Sequence, residues 1–236
     1  DAQESRGLGD VYKRQVYAPV SKHTTLRYLL SVAVHKGMEV HQMDVSTAFL
    51  HGNLEEKVFV QQPEGFHVGG PNVVCRLHKA LYGLKQAPRA WYTTFADAVK
   101  SAGYVVSDAD PSLFILNKGD GDVTYLLLYV DDILLFSKRM ENINDAKSLL
   151  KSHFAVKDLG EARHFLGMQI TFERDGEGKL LAVKLSNEKL ITDMLDSFNM
   201  LDCKTKSVPL DPGMKLKKGD GDPLPPDNRY RELVGG

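Results

Sequence analysis

Asp131 and Asp132 stand side by side between two apolar runs, Tyr125-Leu-Leu-Leu-Tyr-Val and Ile133-Leu-Leu-Phe. Ionised carboxylates held against an apolar body are costly unless they are hydrogen-bonded, paired or bound to a cation. Two adjacent anions also repel, and a divalent cation relieves that repulsion. Taken alone, the pair fits an ordinary solvated turn better than a metal site, because aspartate is a common turn residue. Asp44 supplies a third carboxylate, again in a mostly apolar stretch, HQMDVSTAFL. If the two segments are neighbouring strands, three hard oxygen donors converge. That arrangement suits two Mg²⁺ ions about 3.5–4 Å apart, which clamp the attacking and leaving oxygens in phosphoryl transfer.

A further stretch, LHKALYGLKQAPRAWY from Leu77 to Tyr92, places a Tyr-Gly turn, Lys85 and Gln86 before a proline-started helix rich in aromatics. Such a turn offers a backbone platform and polar tips to a base pair, with Lys85 and Arg89 toward phosphates. The plainer alternative is a helix N-terminus with a solvated lysine and arginine, and with Trp91 and Phe95 in the core.

These residues need elements to position them. Leu26, Leu29, Leu30, Ala33 and Val34 recur at helical spacing, with Thr24 or Thr25 as cap and Gly37 as stop. Strands are expected over about 40–45, 58–60, 73–77 and 113–116. A hairpin is expected where the acidic pair breaks the apolar runs. A second helix spans about 88–102, burying Trp91, Phe95, Ala98, Val99 and Ala102. A third spans about 143–154. Residues 165–172 and 180–185 read as a hairpin turned by RDGEG. Ser186 caps a last helix with Leu190, Ile191, Met194, Leu195 and Phe198 on one face. Five of the ten prolines fall between Pro209 and Pro226, which marks an extended linker. Mixed helices and antiparallel strands without a βαβ rhythm make the class α+β.

Composition narrows the function classes. The 236 residues carry 30 Lys and Arg against 31 Asp and Glu, a formal net charge of -1. That balance argues against a mainly electrostatic nucleic-acid or membrane binder, while leaving room for a local basic groove. Cys75 and Cys203 are read as reduced, mostly buried thiols. The first residues carry no secretory signal, and the longest apolar run, 125–130, is too short for a bilayer. A soluble, intracellular protein is expected.

HQMDVSTAFLHGNLEE, LHKALYGLKQAPRAWY, YLLLYVDDILLF and VKDLGEARHFLGMQI, in that order, resemble the reverse transcriptase of copia-type LTR retrotransposons over about residues 16–236. The resemblance implies a right-hand polymerase palm with an antiparallel sheet and packed helices, partial fingers and the start of the connection region. It implies that Asp44, Asp131 and Asp132 are the catalytic carboxylates and hold two Mg²⁺ ions, with Mn²⁺ as the alternative. Tyr129 and Val130 complete the Tyr-x-Asp-Asp motif, and Phe49 is the aromatic that blocks a ribose 2′-hydroxyl. Tyr82, Gly83, Leu84, Lys85, Gln86, Ala87 and Pro88 match the loop that holds the nascent base pair. Lys157 matches a lysine near the leaving pyrophosphate, and Leu166-Gly167 the hairpin that grips the primer.

The implied activity is RNA-directed DNA polymerisation: transfer of dNMP onto a primer 3′-hydroxyl. The implied partners are an RNA or DNA template with primer and deoxynucleotides, with no membrane, in cytoplasmic virus-like particles. Residues 1–15 do not match the family's fingers segment and are read as a foreign leader. Residues 16–208 are the palm and partial fingers, and 209–236 the linker and the opening of the connection region. Ribonuclease H and integrase sequences are missing, so a piece of a polyprotein is expected. The competing readings are an inactive fragment that only binds template-primer, and an RNA-dependent RNA polymerase palm. Phe49 speaks against the latter, because a ribonucleotide polymerase must leave room for the 2′-hydroxyl.

Overall fold

The computed structural model describes residues 18–70, 72–209, 213–215 and 232. The expected leader at 1–15 lies outside the described residues, as does nearly all of the linker and terminal segment. Two compact units divide the chain: one runs through Phe165 and takes in Ile170–Lys184, and the other holds Leu166–Gln169 and the chain from Leu185.

The first unit is built on a six-stranded sheet. Helix α1 (His23–Lys36) leads into β1 (Glu39–Val45), the one-turn helix α2 (Ala48–His51), and the paired strands β2 (Asn53–Gln61) and β3 (Val74–Lys79). Then come α3 (Ala87–Ser101), β4 (Val105–Val106), β5 (Leu113–Asn117), β6 (Val123–Tyr129), β7 (Asp132–Ser137), α4 (Met140–His153) and β8 (Val156–Glu161). The sheet order is β4-β5-β6-β7-β1-β8, and its described pairings are antiparallel. The α+β expectation therefore holds, and the strands carrying Asp44 and Asp132 are neighbours.

Alternation along the strands assigns the faces. Met43, Val45, Leu126, Leu128, Ile133 and Leu135 join Trp91, Phe95 and Val99 of α3 and Ile143, Ala146 and Leu150 of α4 in one core cluster. Each large side chain removed from water there is worth about 1.5–3 kcal/mol. Gln42, Asp44, Leu134 and Asp132 alternate onto the other face: α3 and α4 support the sheet from behind, and in front Gln42 and Leu134 are buried while Asp44 and Asp132 are half-buried.

Several local expectations shift. Lys22, not Thr24 or Thr25, caps α1, and no side chain of the helix caps it. Asp110 does that work from afar: its Oδ2 accepts the Lys22 N–H at 3.1 Å and the Thr25 hydroxyl at 2.6 Å. In α3, Ala96 is buried, whereas Ala102 falls beyond the helix end and is exposed. Cys75 is half-buried on the open two-stranded sheet and Cys203 is exposed, so the thiols are free but not core residues. The strand expected over 165–172 is broken into β9 (His164–Phe165) and β10 (Met168–Arg174), with β11 (Leu180–Ser186) following. Leu166 at φ 55° and Gly167 at φ 74° are both left-handed and turn the chain there.

The second unit contains the Leu166–Gly167 turn and α5 (Glu188–Ser197). Asn187 holds the cap position of α5, and the Glu188 N–H reaches the Ser186 hydroxyl at 3.0 Å. None of the residues of α5 is buried. No described helix is long and apolar enough to cross a membrane.

Candidate active site

The β6–β7 hairpin turns one residue earlier than the acidic pair suggests. Tyr129 pairs with Asp132, so the two-residue loop is Val130-Asp131 and Asp132 belongs to β7. Val130 takes φ 53°, a left-handed conformation at the place such turns usually give to glycine. A β-branched residue there is strained by about 1–3 kcal/mol and persists only where its surroundings hold it. Two bonds from outside the hairpin do so. The indole Nε1 of Trp91 donates to the Val130 carbonyl at 2.5 Å, and the Val45 N–H donates to the Asp131 carbonyl at 2.7 Å.

This register sets up a rung across four strands. Tyr129 on β6 faces Asp132 on β7, Asp132 faces Asp44 on β1, and Asp44 faces Lys157 on β8. Directly opposed residues share a face, so one row carries the phenol, two carboxylates and an ammonium, with Asp131 at the adjoining loop. The Tyr129 ring meets Phe165 edge-on, with centroids 6.3 Å apart. Burial pushes the Asp132 carboxyl above its ordinary value; the hydrogen bond from Gln42 opposes that, and the Asp131 and Asp44 charges add to it. Gln42 is buried and its Nε2 sits 3.0 Å from Asp132 Oδ1.

Phe49 reaches the same end of the sheet through the sharp exit from β1. Thr47 is left-handed at φ 54°, and the Ser46 N–H is anchored on the Ala155 carbonyl at 2.8 Å. The short α2 then carries Phe49, half-buried against the core cluster. Its ring lies 4.5 Å from that of Tyr82. Burial raises the Tyr82 phenol above its ordinary value, the Asp131 and Asp44 charges raise it further, and a backbone hydrogen bond with Ala48 opposes them. The phenol thus stands within the field of the carboxylates. Gly52 closes α2 against α3: a Cβ there would stand 2.8 Å from the Trp91 nitrogen and 2.9 Å from the Ala90 carbonyl carbon.

Gly83, at φ 93°, and exposed Lys85 continue the loop after Tyr82, and Gln86 caps α3 with Pro88 in its first turn. Leu166 and Gly167 belong to the second unit. Gln42 is the site residue that sequence reasoning passed over, although its position two before Asp44 put it on the same strand face. The carboxylates offer hard oxygens suited to magnesium. As they stand, no three His, Cys, Asp or Glu side chains among the described residues are gathered into a ready-made metal cage.

The family model described as reverse transcriptase (RNA-dependent DNA polymerase) matches residues 5–212. The chain belongs to the reverse transcriptase family. It is 44% identical over 205 residues to the retrovirus-related Pol polyprotein from transposon TNT 1-94 of Nicotiana tabacum, covering 86% of this chain and 15% of that one. It is 39% identical over 222 residues to the Pol polyprotein from transposon RE1 of Arabidopsis thaliana, covering 94% of this chain and 15% of that one. This copia-type reverse transcriptase domain therefore spans about 15% of the length of those polyproteins. The putative transposon Ty5-1 protein of Saccharomyces cerevisiae is 29% identical over 82% of the chain. No solved structure matches the domain.

Proposed function

We propose that this reverse transcriptase domain carries out RNA-directed DNA polymerisation, joining a deoxynucleoside monophosphate to a primer 3′-hydroxyl. The observation that carries the reading is the opposition of Asp44 and Asp132 on adjacent strands, with Asp131 in the loop beside them. In this reading the six-stranded sheet with α3 and α4 is the palm, and the β2–β3 pair belongs to the fingers.

Two Mg²⁺ ions, or Mn²⁺, would be held by Asp44, Asp131 and Asp132; when bound they supply positive charge that activates the 3′-hydroxyl and offsets the leaving pyrophosphate. The protein's own groups do the rest. Gln42 engages one carboxylate oxygen of Asp132, Oδ1, and leaves Oδ2 for a cation. The Phe49 ring, backed by Tyr82, fills the volume a ribose 2′-hydroxyl would need. Gly83, Lys85 and Gln86 present backbone and polar tips to the nascent base pair. Tyr129 and Val130 shape the floor, and Lys157 sets a positive charge beside Asp44 for the departing pyrophosphate. Leu166 and Gly167 grip the primer end. Template pairing supplies sequence, while the protein holds backbone and shape. Template-primer, deoxynucleotides and the remaining Pol domains are the partners, in cytoplasmic particles.

The test is primer extension on an RNA template with deoxynucleotides and Mg²⁺, comparing the chain with Asp131→Asn. Extension that vanishes in the variant is expected. A folded chain that binds template-primer without extending it is a binding module instead, and preference for ribonucleotides would make it an RNA polymerase.

A further inference from the structure

We infer that Trp91 is a positioning residue for this reaction: its indole N–H holds the Val130 carbonyl and so fixes the loop that carries Asp131. The inference rests on the polymerase reading above.

Trp91 looks at first like a core residue. It is 1% exposed, with its ring 5.5 Å from Phe95, 5.1 Å from Phe154 and 5.9 Å from the His51 ring. A phenylalanine would satisfy that packing. What it would not supply is the one polar atom, Nε1, which leaves the aromatic cluster and meets the Val130 carbonyl at 2.5 Å. The bond joins α3, behind the sheet, to the turn at the end of the β6–β7 hairpin.

The loop needs such a hold. It has two residues, neither of them glycine, and its first is left-handed. The Val130 carbonyl belongs to the peptide that leads into Asp131. Fixing its direction fixes the plane of that peptide, and with it the direction in which the Asp131 side chain leaves the backbone. The next carbonyl, of Asp131, is fixed from β1 by the Val45 N–H at 2.7 Å. Both peptides around Asp131 are thus tied to elements outside the hairpin. Trp91 is wedged among aromatics, so its N–H is a rigid donor needing no ordering when substrate arrives.

Trp91 is also the chain's single tryptophan, so one indole N–H resonance reports this bond. In ¹⁵N-labelled full chain, Mg²⁺ titration is expected to move that resonance saturably, and Asp131→Asn to abolish the movement. Two changes remove the donor: Trp91→Phe, and replacement of Trp91 by β-(3-benzothienyl)alanine, which keeps the ring shape if the phenylalanine variant folds poorly. Each is expected to weaken Mn²⁺ binding, read by electron paramagnetic resonance, by about 10-fold. Each should also lower kcat in primer extension while leaving the deoxynucleotide KM near its starting value. Unchanged Mn²⁺ affinity and kcat in the benzothienyl protein would overturn the role of Trp91 while leaving the polymerase reading intact. A parent chain that neither binds Mn²⁺ nor shifts its indole resonance would overturn both.

Discussion

The side-chain amide of Gln42 donates to Oδ1 of Asp132 at 3.0 Å across neighbouring strands. A hydrogen bond to a charged acceptor contributes about 1.5–3 kcal/mol. Gln42→Leu keeps the size of the side chain and deletes the donor. It should lower stability at pH 7 by about that amount in metal-free buffer. The loss should shrink in an Asp132→Asn background, where no charge needs the donor. Denaturant unfolding of the four proteins reads the coupling, and purely additive losses would show that the bond contributes nothing to holding the carboxylate.

Asp132 itself should act against the fold. Its carboxyl is raised above the ordinary 3.8 in the folded chain, first by burial. The folded state therefore keeps a proton that the unfolded state releases, and this group's contribution to stability falls as pH rises from 3.8 through the raised value. Asp132→Asn should be at least as stable as the parent at pH 7 without metal, with the difference closing at acid pH, while extension activity is lost. A variant that melts lower at pH 7 would contradict this.

The ring pair of Phe49 and Tyr82 predicts sugar selection. Phe49→Ala should let ribonucleotides in, lowering discrimination by up to about 100-fold, the scale on which a pocket rejects an added hydroxyl. Tyr82→Leu removes the ring behind Phe49 and should give a smaller loss of the same kind. Competitive incorporation of paired deoxy- and ribonucleotides measures both. Discrimination that stays at the parent value in Phe49→Ala would remove this ring from the site.

Behind the sheet, Lys147 Nζ lies 2.8 Å from His41 Nδ1 and 2.8 Å from Asp158 Oδ1. Burial and then the Lys147 charge hold the His41 imidazole below 6.5, against the pull of Asp158, Glu39 and Glu161. Below pH 6.5 the unfolded chain takes up a proton that the folded chain refuses, so stability drops as pH falls through the lowered value. Burial pushes the Asp158 carboxyl up, but bonds from Lys147 and the Gly160 N–H and the charges of Lys147 and Lys151 bring it below 3.8. Its contribution is present above 3.8 and is lost only in stronger acid. Melting temperature should therefore decline between pH 7 and 5, and His41→Asn should flatten that decline. An equally steep decline in the variant would assign it elsewhere.

Gly52 predicts a packing defect with a functional echo. Gly52→Ala sets a methyl against the backbone of Ala90 and Trp91, and overpacking of this kind costs about 1–3 kcal/mol. Thermal unfolding should register it, and the shift of α2 should relax sugar discrimination through Phe49. Parent-like melting would show that the turn opens without strain.

Much of this arrangement was legible in the sequence because apolar periodicity is strong where the sheet is buried. The runs that became β6 and β7, and the stripe of α3, announce themselves. The loop slip was not legible: the acidic pair marks a turn, but only the bonds from Trp91 and Val45 decide that Val130 takes the left-handed place. Strand β8 was missed because VKDLGE offers little alternation; it forms as an edge strand through pairing with β1, with a register shift between Gln42 and Met43. The α1 cap was not legible because the acceptor, Asp110, lies 85 residues from Thr25. Cys75 is half-buried because β3 belongs to a two-stranded sheet and is largely exposed, which cysteine's usual burial does not foretell.

The sheet order also dictates when the site comes into being. Asp44 waits on β1 for partners on β7 and β8, and Gln42 meets Asp132 across 90 positions of sequence. At translation rates of about 5–20 residues per second, that wait lasts roughly 5–18 s. During synthesis β1 has neither of its neighbours, so the long loop must close before any pairing rewards it. The emerging chain thus passes through a stage in which β1 has both edges unpaired and open to other nascent chains, and the row of Asp44, Asp132 and Lys157 is assembled in one late step.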